Sequence, residues 1–269
     1  MRKARRELEQ SLRLADAVLM VLDARAPAST RHLELERSLR NRPIILVLNK
    51  EDLAEKEATR AWIQTLSQEG ATAVALTSTG GQGAGPLRPH LERIRQRLHQ
   101  DLAAKGVRPR PPRLIVAGVP NVGKSSLLNR LVGRKRAKTG AKPGVTRGPQ
   151  WVVAEGLWQV LDTPGILYPR IQGAEQFTHL LAVGCVRREA VAFDEAAGRL
   201  VQILAERGLR EELLGPCEVS DSPVENLIRV ARHKTYFQHG EVDVERAAHW
   251  LLQSFAEGRF GRITLERIA

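Results

Sequence analysis

The most constraining feature of this sequence is an octapeptide that matches a phosphate-binding pattern in full. Gly118-Val-Pro-Asn-Val-Gly-Lys-Ser125 follows the apolar run at residues 114–118 and precedes helical periodicity through Val132. A strand, a glycine-rich turn and a helix in this order point backbone N–H groups and the positive end of the helix at a phosphate. In such a loop Lys124 bridges the β- and γ-phosphates, and the Ser125 hydroxyl binds Mg²⁺. The sequence therefore predicts a P-loop nucleotide site.

Two later segments supply the remaining phosphate-side elements. Asp162-Thr-Pro-Gly165 ends a predicted strand, so Asp162 is expected to act on Mg²⁺ through water and the Gly165 N–H to sense the γ-phosphate. Thr146 lies between the P-loop and Asp162, in Lys142-Pro-Gly-Val-Thr146, and is the candidate switch threonine for Mg²⁺ and γ-phosphate. An ordinary turn at Pro-Gly and an ordinary loop threonine are the alternatives.

The first half of the chain carries the motif that predicts which nucleotide base is bound. Asn49-Lys-Glu-Asp52 follows an apolar run, and the Asp52 carboxylate can accept hydrogen bonds from guanine N1–H and N2–H₂. Adenine has no donors there, so a carboxylate buried by the base stays unpaired and selectivity is large. Asn49 is expected to tie this loop to the P-loop, and the Lys50 stem to cover the ring. Ser78-Thr79-Gly80 is a looser match to the turn that offers an N–H to guanine O6.

The order of these elements is unusual. An unpermuted GTPase runs from the phosphate loop to the base motif, whereas here the base motif and serine turn come first. All elements are present, so the sequence predicts a complete domain with relocated termini, an arrangement that is tolerated when the original ends lie close together. Strands are predicted at 17–23, 43–49, 73–77, 114–118, 151–154 and 157–161, and helices at 1–14, 31–40 and 86–105 and in the segments that end at Gln68 and Val132. Each motif sits at the end of a predicted strand, and strands alternate with helices. We therefore predict an α/β fold with a mostly parallel sheet.

From about residue 171 the pattern becomes helical, with periodicity at 173–188, 190–207, 223–233 and 243–257. We predict a permuted GTPase domain at 1–170 and a smaller helical RNA- or ribosome-binding domain at 171–269. A net charge of +12 favours a polyanionic partner, with basic runs at 2–6, 108–113 and 134–142. Cytoplasmic localisation with no membrane partner is expected, because no apolar run of about 18 residues is present. The two cysteines are expected to be reduced thiols rather than a disulfide.

The sequence resembles the YlqF/RbgA family of circularly permuted ribosome-assembly GTPases over nearly its whole length. The segments that carry the resemblance are Lys3-Ala-Arg-Arg6, Asp23-Ala-Arg25-x-Pro27, Asn49-Lys-x-Asp52, Gly118-x-Pro-Asn-Val-Gly-Lys-Ser125, Pro143-Gly-x-Thr146, Asp162-Thr-Pro-Gly165 and Gly258-Arg-Phe-Gly-Arg262. The resemblance implies a GTPase that acts late in maturation of the large (50S) ribosomal subunit. It also implies binding of rRNA and ribosomal proteins on the immature particle. We expect a monomer.

Two positions depart from the family. Members carry a histidine just before the Lys-Ala-Arg-Arg stretch, and this sequence begins at the methionine that follows it. Either the true start lies upstream or the histidine is absent, so its role is carried to no residue here. Thr79 stands where alanine is usual.

Hydrolysis is expected to be slow without a partner. Many GTPases place a water-orienting Gln after Asp-x-x-Gly, and this chain has Ile166, which cannot hydrogen-bond. We expect stimulation by the large subunit. Asn121 in the phosphate loop suggests K⁺ as a further cofactor beside GTP/GDP and Mg²⁺, because related loops with Asn hold K⁺ between the phosphates. A module that binds GTP without useful hydrolysis, and a GTPase for another RNA partner, remain alternatives.

The residues assigned from the sequence fall into three sets. Nucleotide binding is assigned to Asn49, Lys50, Asp52, Ser78, Thr79, Asn121, Val122, Gly123, Lys124, Ser125, Ser126, Thr146 and Gly165. Metal binding is assigned to Ser125, Thr146 and Asp162, and catalysis to Asn121, Lys124, Thr146 and Gly165.

Overall fold

A computed structural model provides the structure of the chain. It describes residues 12, 14–39, 42–79, 84–132, 151–154, 156–162, 171–186 and 193–268. The predicted helix at 1–14 therefore lies almost wholly outside the described residues.

A six-stranded sheet forms the centre of the nucleotide-binding half. Its strands are β1 (Ala17–Asp23), β2 (Ile44–Asn49), β3 (Thr72–Leu76), β4 (Arg113–Ala117), β5 (Val152–Ala154) and β6 (Trp158–Asp162). They are arranged in the order β3-β2-β1-β4-β6-β5, and only β5 is antiparallel to its neighbour. The predicted α/β fold with a mostly parallel sheet is confirmed.

The central strand β1 explains why parallel strands form here. Every residue of β1 is buried, so both of its faces need apolar side chains. Leu19 and Val21 point into one apolar cluster, while Met20 and Leu22 point into a second cluster on the opposite face. The continuous aliphatic run in the sequence is the consequence of this two-sided burial.

Helices cover both faces of the sheet. They are α1 (Pro27–Thr30), α2 (Leu33–Ser38), α3 (Lys56–Gln68), α4 (Arg88–Ala104) and α5 (Lys124–Val132). Leu35 and Leu66 of α2 and α3 lie in the same cluster as Met20. Leu91 and Leu127 of α4 and α5 lie in the cluster with Leu19.

The part of the described chain from residue 171 onward is mainly helical, with one short hairpin and an irregular stretch at 257–268. Its helices are α6 (Ala174–Ala182), α7 (Phe193–Leu204), α8 (Arg210–Leu214), α9 (Pro223–His233) and α10 (Val244–Ala256), and the hairpin strands are β7 (Phe237–Gln238) and β8 (Glu241–Val242). Buried residues of these helices belong to the same apolar cluster as one face of the sheet. No helix among the described residues is long and apolar enough to cross a membrane.

Some helices differ from their predicted spans. The helix expected at 31–40 begins only at Leu33, because the His32 side chain accepts a hydrogen bond from Leu35 N and caps α2 there, and the short helix α1 before it was not predicted. The helix expected at 173–188 ends at Ala182, because Gly184 adopts φ 76° and Cys185 N bonds back to Leu180 O at 2.7 Å. This left-handed ending is a common helix terminator.

A close approach between α7 and α9 constrains the sequence at one glycine. A Cβ added at Gly198 of α7 would stand 1.9 Å from the backbone oxygen of Pro223 at the start of α9. Backbone cannot move aside as a flexible side chain can, so the absence of a side chain at residue 198 sets this contact.

We expect Gly198→Ala to destabilise the chain by about 1–3 kcal/mol, the range for overpacked cores, despite the better helix propensity of alanine. The measurement is the urea unfolding midpoint. Gly85→Ala is the matched control, because nothing lies within 4 Å of that Cβ, and its effect should stay within about 0.5 kcal/mol. Equal midpoints for Gly198→Ala and the unchanged chain would contradict the tight α7–α9 contact.

Candidate functional site

The carboxyl ends of five parallel strands share one edge of the sheet. Asp23 ends β1, Asn49 ends β2 and Asp162 ends β6, while Ser78 and Gly118 follow β3 and β4. Open parallel sheets bind ligands at this edge. The structure therefore gathers, at one edge, motifs that are spread through the sequence.

The phosphate loop joins β4 to α5 in a conformation that needs glycine. Gly123 has φ 96°, and a Cβ there would lie 2.2 Å from Nδ2 of Asn49. Nζ of Lys124 donates to the Val119 oxygen at 2.7 Å, so the ammonium is held across the loop. Ser125 lies exposed in the first turn of α5, where helix N–H groups and the helix dipole favour an anion.

Asn49 connects three parts of this edge. Its Nδ2 donates to Val122 O at 2.7 Å, and its Oδ1 accepts from Ser78 N at 3.0 Å and Ser78 Oγ at 2.7 Å. The side chain is buried, and these bonds satisfy both ends of the amide. The expected tie from the base loop to the P-loop is thus present, and it extends to the serine turn.

Asp52 and Lys50 occupy the turn beyond Asn49. The Asp52 carboxylate is exposed and accepts a hydrogen bond from Thr77 Oγ1 at 3.1 Å. Lys50 has φ 60°, and its Nζ lies 2.8 Å from Oδ2 of Asp23. The stem of Lys50 is therefore anchored at its charged end.

Asp23, Arg25 and Lys50 form a largely buried charge cluster, for which no role is predicted from the sequence. Oδ1 of Asp23 lies 3.0 Å from Arg25 Nε, and both Asp23 and Arg25 are almost completely buried. Burial by itself raises the pKa of the Asp23 carboxyl, but attraction and hydrogen bonds from Arg25 and Lys50 outweigh it and lower the pKa overall. Removing one partner of such a pair costs roughly 3–5 kcal/mol, because it leaves the other charge buried and unpaired.

Two contacts bring the helical part to this edge. Arg25 Nη1 donates to Phe255 O at 2.7 Å, at the end of α10, where carbonyl groups lack partners within the helix. Asn121 Nδ2 of the phosphate loop donates to Gly184 O at 2.6 Å, just after α6. No sequence pattern indicated either pairing, although Asp23-Ala-Arg25 was part of the family resemblance.

Several assigned residues lie outside the described part of the chain. Thr146, Gly165 and Ile166 belong to this group, as does the basic stretch at 134–142. For Asp162 only the backbone is described, and it pairs with Val116 next to the phosphate loop. Their assigned roles stay predictions.

Comparison with known proteins extends this picture. A family model described as "50S ribosome-binding GTPase" matches residues 113–212. Ribosome biogenesis GTPase A of Bacillus licheniformis is 33% identical over 99% of this chain and 95% of its own length. The protein of the same name from Thermotoga maritima is 31% identical over 98% and 91%, respectively.

Solved structures show the same relationship. The crystal structure of GNP-bound YlqF from T. maritima aligns with a TM-score of 0.70 and 29% identity, covering 98% of both chains. Its GDP-bound structure aligns with a TM-score of 0.68 and 28% identity, covering 97% of this chain and 98% of the other.

Fold, motif order and family match together define a circularly permuted P-loop GTPase. The similarity runs through the helical part as well as the nucleotide-binding half. The chain belongs to the ribosome biogenesis GTPase A family, which confirms the resemblance noted from its sequence.

The cysteines differ sharply in their surroundings, and both are free thiols as expected. Burial, together with the negative charge of Asp23, raises the pKa of Cys185 to about 12, whereas Cys217 is exposed. Only about one Cys185 thiol in 10,000 is ionised at pH 8.

Because the thiolate is the reactive form, we expect iodoacetamide at pH 8 to modify Cys217 alone in the folded protein. Mass spectrometry should find one label per native chain and two labels after unfolding in urea. Comparable labelling of Cys185 in the native protein would contradict its buried position beside Asp23.

Proposed function

We propose that this chain binds GTP with Mg²⁺, hydrolyses it to GDP and phosphate, and acts in late assembly of the large ribosomal subunit. The observation that carries the ribosomal part is the similarity to ribosome biogenesis GTPase A over 99% of the chain. The nucleotide-binding half alone would support only the GTPase assignment. A cytoplasmic location, with a permuted GTPase domain at 1–170 and a helical domain at 171–269, belongs to the same proposal.

Guanine recognition is proposed for the turn at residues 49–52. Asp52 would accept hydrogen bonds from the base, Lys50 would cover the ring, and the Ser78–Thr79 turn would face O6. The support is geometric, because Asn49 joins this turn to the phosphate loop through Val122. A base bound at Asp52 and phosphates bound at Lys124 are then held by one connected framework.

Phosphate and metal binding are proposed for the phosphate loop and the strand end beside it. The backbone at 121–126 would cradle the phosphates, with Val122, Gly123 and Ser126 contributing N–H groups. The donors fit Mg²⁺, since a hydroxyl at Ser125 and a carboxylate at Asp162 are hard oxygen ligands on neighbouring segments.

Catalysis is proposed to rely on electrostatic stabilisation. Lys124 and a K⁺ ion at Asn121 would neutralise charge that develops between the phosphates, while Thr146 and Gly165 would respond to the γ-phosphate. Since Nδ2 of Asn121 donates to Gly184 O, the Oδ1 atom is the acceptor that remains for a cation. Ile166 supplies no hydrogen bond for water, so the proposal includes dependence on the partner.

The partner proposed for the helical domain is rRNA with ribosomal proteins of the immature 50S particle. A net charge of +12 supports a polyanionic partner. Three basic residues lie on α9 or directly after it. Arg232 is exposed, whereas Arg229 pairs with Glu225 and Lys234 lies 4.9 Å from the Trp250 ring centre. Arg232 is therefore the better placed of these for phosphate contact.

We expect Asp52→Asn to weaken GTP binding roughly 100-fold or more, because the carboxylate accepts two hydrogen bonds from guanine. Affinity for xanthosine triphosphate should rise, since an amide can donate to its 2-oxo group. Competition of each nucleotide against fluorescent GDP measures both changes. Glu51→Gln changes the neighbouring charge and serves as control, and unchanged GTP affinity in Asp52→Asn would refute the base role.

The proposed function is tested by GTP hydrolysis in K⁺ and in Na⁺ buffer, alone and with purified large or small subunits. We expect large subunits, but not small subunits, to stimulate hydrolysis on the order of tenfold or more. The rate should be higher in K⁺ than in Na⁺. Loss of phosphate release in Lys124→Ala would show that the activity belongs to this site.

Other outcomes of this experiment favour the alternatives. Stimulation by small subunits or tRNA would indicate a different RNA partner, and binding without single-turnover hydrolysis would indicate a GTP-dependent binding module. Equal rates in K⁺ and Na⁺ would remove K⁺ from the proposal.

A further inference from the structure

The last described residues return to the nucleotide-binding half, where they lie against the turn that carries the base motif. Residues 263–267 are called here the C-terminal strap. Ile263 N donates to Leu53 O at 3.1 Å, and Glu55 N donates to Thr264 Oγ1 at 3.1 Å. The strap therefore bonds directly to the backbone just beyond the residues proposed to recognise guanine.

The strap is held in a fixed position by the surrounding structure. Thr264 is fully buried, and Leu265 N donates to Arg25 O at 2.8 Å. Trp62 Nε1 of α3 donates to the backbone oxygen of Glu266 at 2.7 Å. These contacts come from the segment just after β1 and from α3, so the strap is fixed to elements on both sides of the turn.

Glu266 extends this connection to the helical part. Its carboxylate accepts hydrogen bonds from Ala28 N at 2.6 Å and Ser29 N at 3.0 Å, at the start of α1. The same carboxylate lies 3.1 Å from Nδ1 of His179, a buried residue of α6. One side chain of the strap thus joins α1 to α6.

Asp52 depends on its backbone for its position. The carboxylate is exposed and accepts a hydrogen bond from Thr77 Oγ1 of the neighbouring loop. On the amino-terminal side, Asn49 fixes the turn to the phosphate loop. On the carboxyl-terminal side, hydrogen bonds at Leu53 and Glu55 fix the turn to the strap.

We infer that the C-terminal strap is a positioning element for guanine recognition, which orients the Asp52 carboxylate and thereby slows release of guanine nucleotides. This inference rests on the proposed base-binding role of Asp52. It differs from a purely structural role, in which loss of a strap contact lowers stability but leaves base selectivity unchanged. The two roles are separable because guanine meets Asp52 through two donors, and inosine has only one of them.

The test compares GDP with inosine diphosphate, which lacks the 2-amino group. Thr264→Val keeps the side-chain volume and removes the acceptor for Glu55 N. We expect it to release fluorescent GDP about fivefold faster and to lower the GDP-to-inosine-diphosphate affinity ratio by a similar factor, the equivalent of about one hydrogen bond. Ser222→Ala removes the cap of α9 and is the stability-matched control, for which the ratio should not change.

A second variant keeps the test decisive if Thr264→Val does not fold. Arg267 lies exposed in the strap and pairs with Glu55 through Nε at 3.0 Å. Arg267→Ala should therefore fold and show a smaller change in the same direction, about twofold, as expected for an exposed ion pair. An unchanged selectivity ratio in both folded variants would overturn the positioning role.

Failure of the base assignment gives a different result. If the unchanged chain binds GDP and inosine diphosphate equally, Asp52 does not read the 2-amino group, and the proposed role of residue 52 is wrong. If the unchanged chain discriminates but the strap variants retain full discrimination, only the strap inference fails.

Discussion

The side chain of Asn49 is the contact on which the nucleotide site depends. It accepts two hydrogen bonds from Ser78 and donates one to Val122. Val122 lies 73 positions further along the chain, in the half that carries the phosphate loop. The base and phosphate motifs are distant in the sequence, so a buried amide bonded through both its oxygen and its nitrogen supplies the link that fixes their distance. Gly123 is required next to it, since a Cβ there would collide with the same amide.

A second junction connects the sheet edge to the helical part. Arg25 is buried beside Asp23 and caps the carbonyl groups at the end of α10, with its guanidinium 5.1 Å from the Phe255 ring centre. A charged hydrogen bond, an ion pair and a cation–π contact therefore meet at one side chain. Movement of α10 relative to β1 would disrupt the hydrogen bond and the cation–π contact together, and would leave the Arg25–Asp23 pair without its cover.

Much of the architecture could be predicted because it depends on local signals. The span of β1 was predicted at residues 17–23 from a continuous apolar run, and the P-loop from glycine and lysine spacing. Asn49 could be placed for the same reason, since it ends a buried strand. The start of α2 after His32 was not predicted, because it depends on one capping contact from that side chain.

The remaining features depend on contacts between distant residues, for which the sequence has no periodic signal. Thr264 and Glu55 are 209 positions apart, and Arg25 and Phe255 are 230 apart. Neither residue of such a pair is unusual in its own neighbourhood. The exposure of the Asp52 carboxylate likewise has no signal in the sequence. The roles of Thr146 and Gly165 rest on the motif alone.

The position of the C-terminal strap in the sequence has a consequence for biosynthesis. A nascent chain makes the base motif first, the phosphate loop later and the strap after all other described elements. N-terminal segments generally begin to fold while synthesis continues. A nucleotide stabilises only the conformation that binds it, so GTP or GDP adds little stability to an incomplete nascent chain. Cellular nucleotide levels should therefore influence the persistence of the finished protein more than the early steps of its folding.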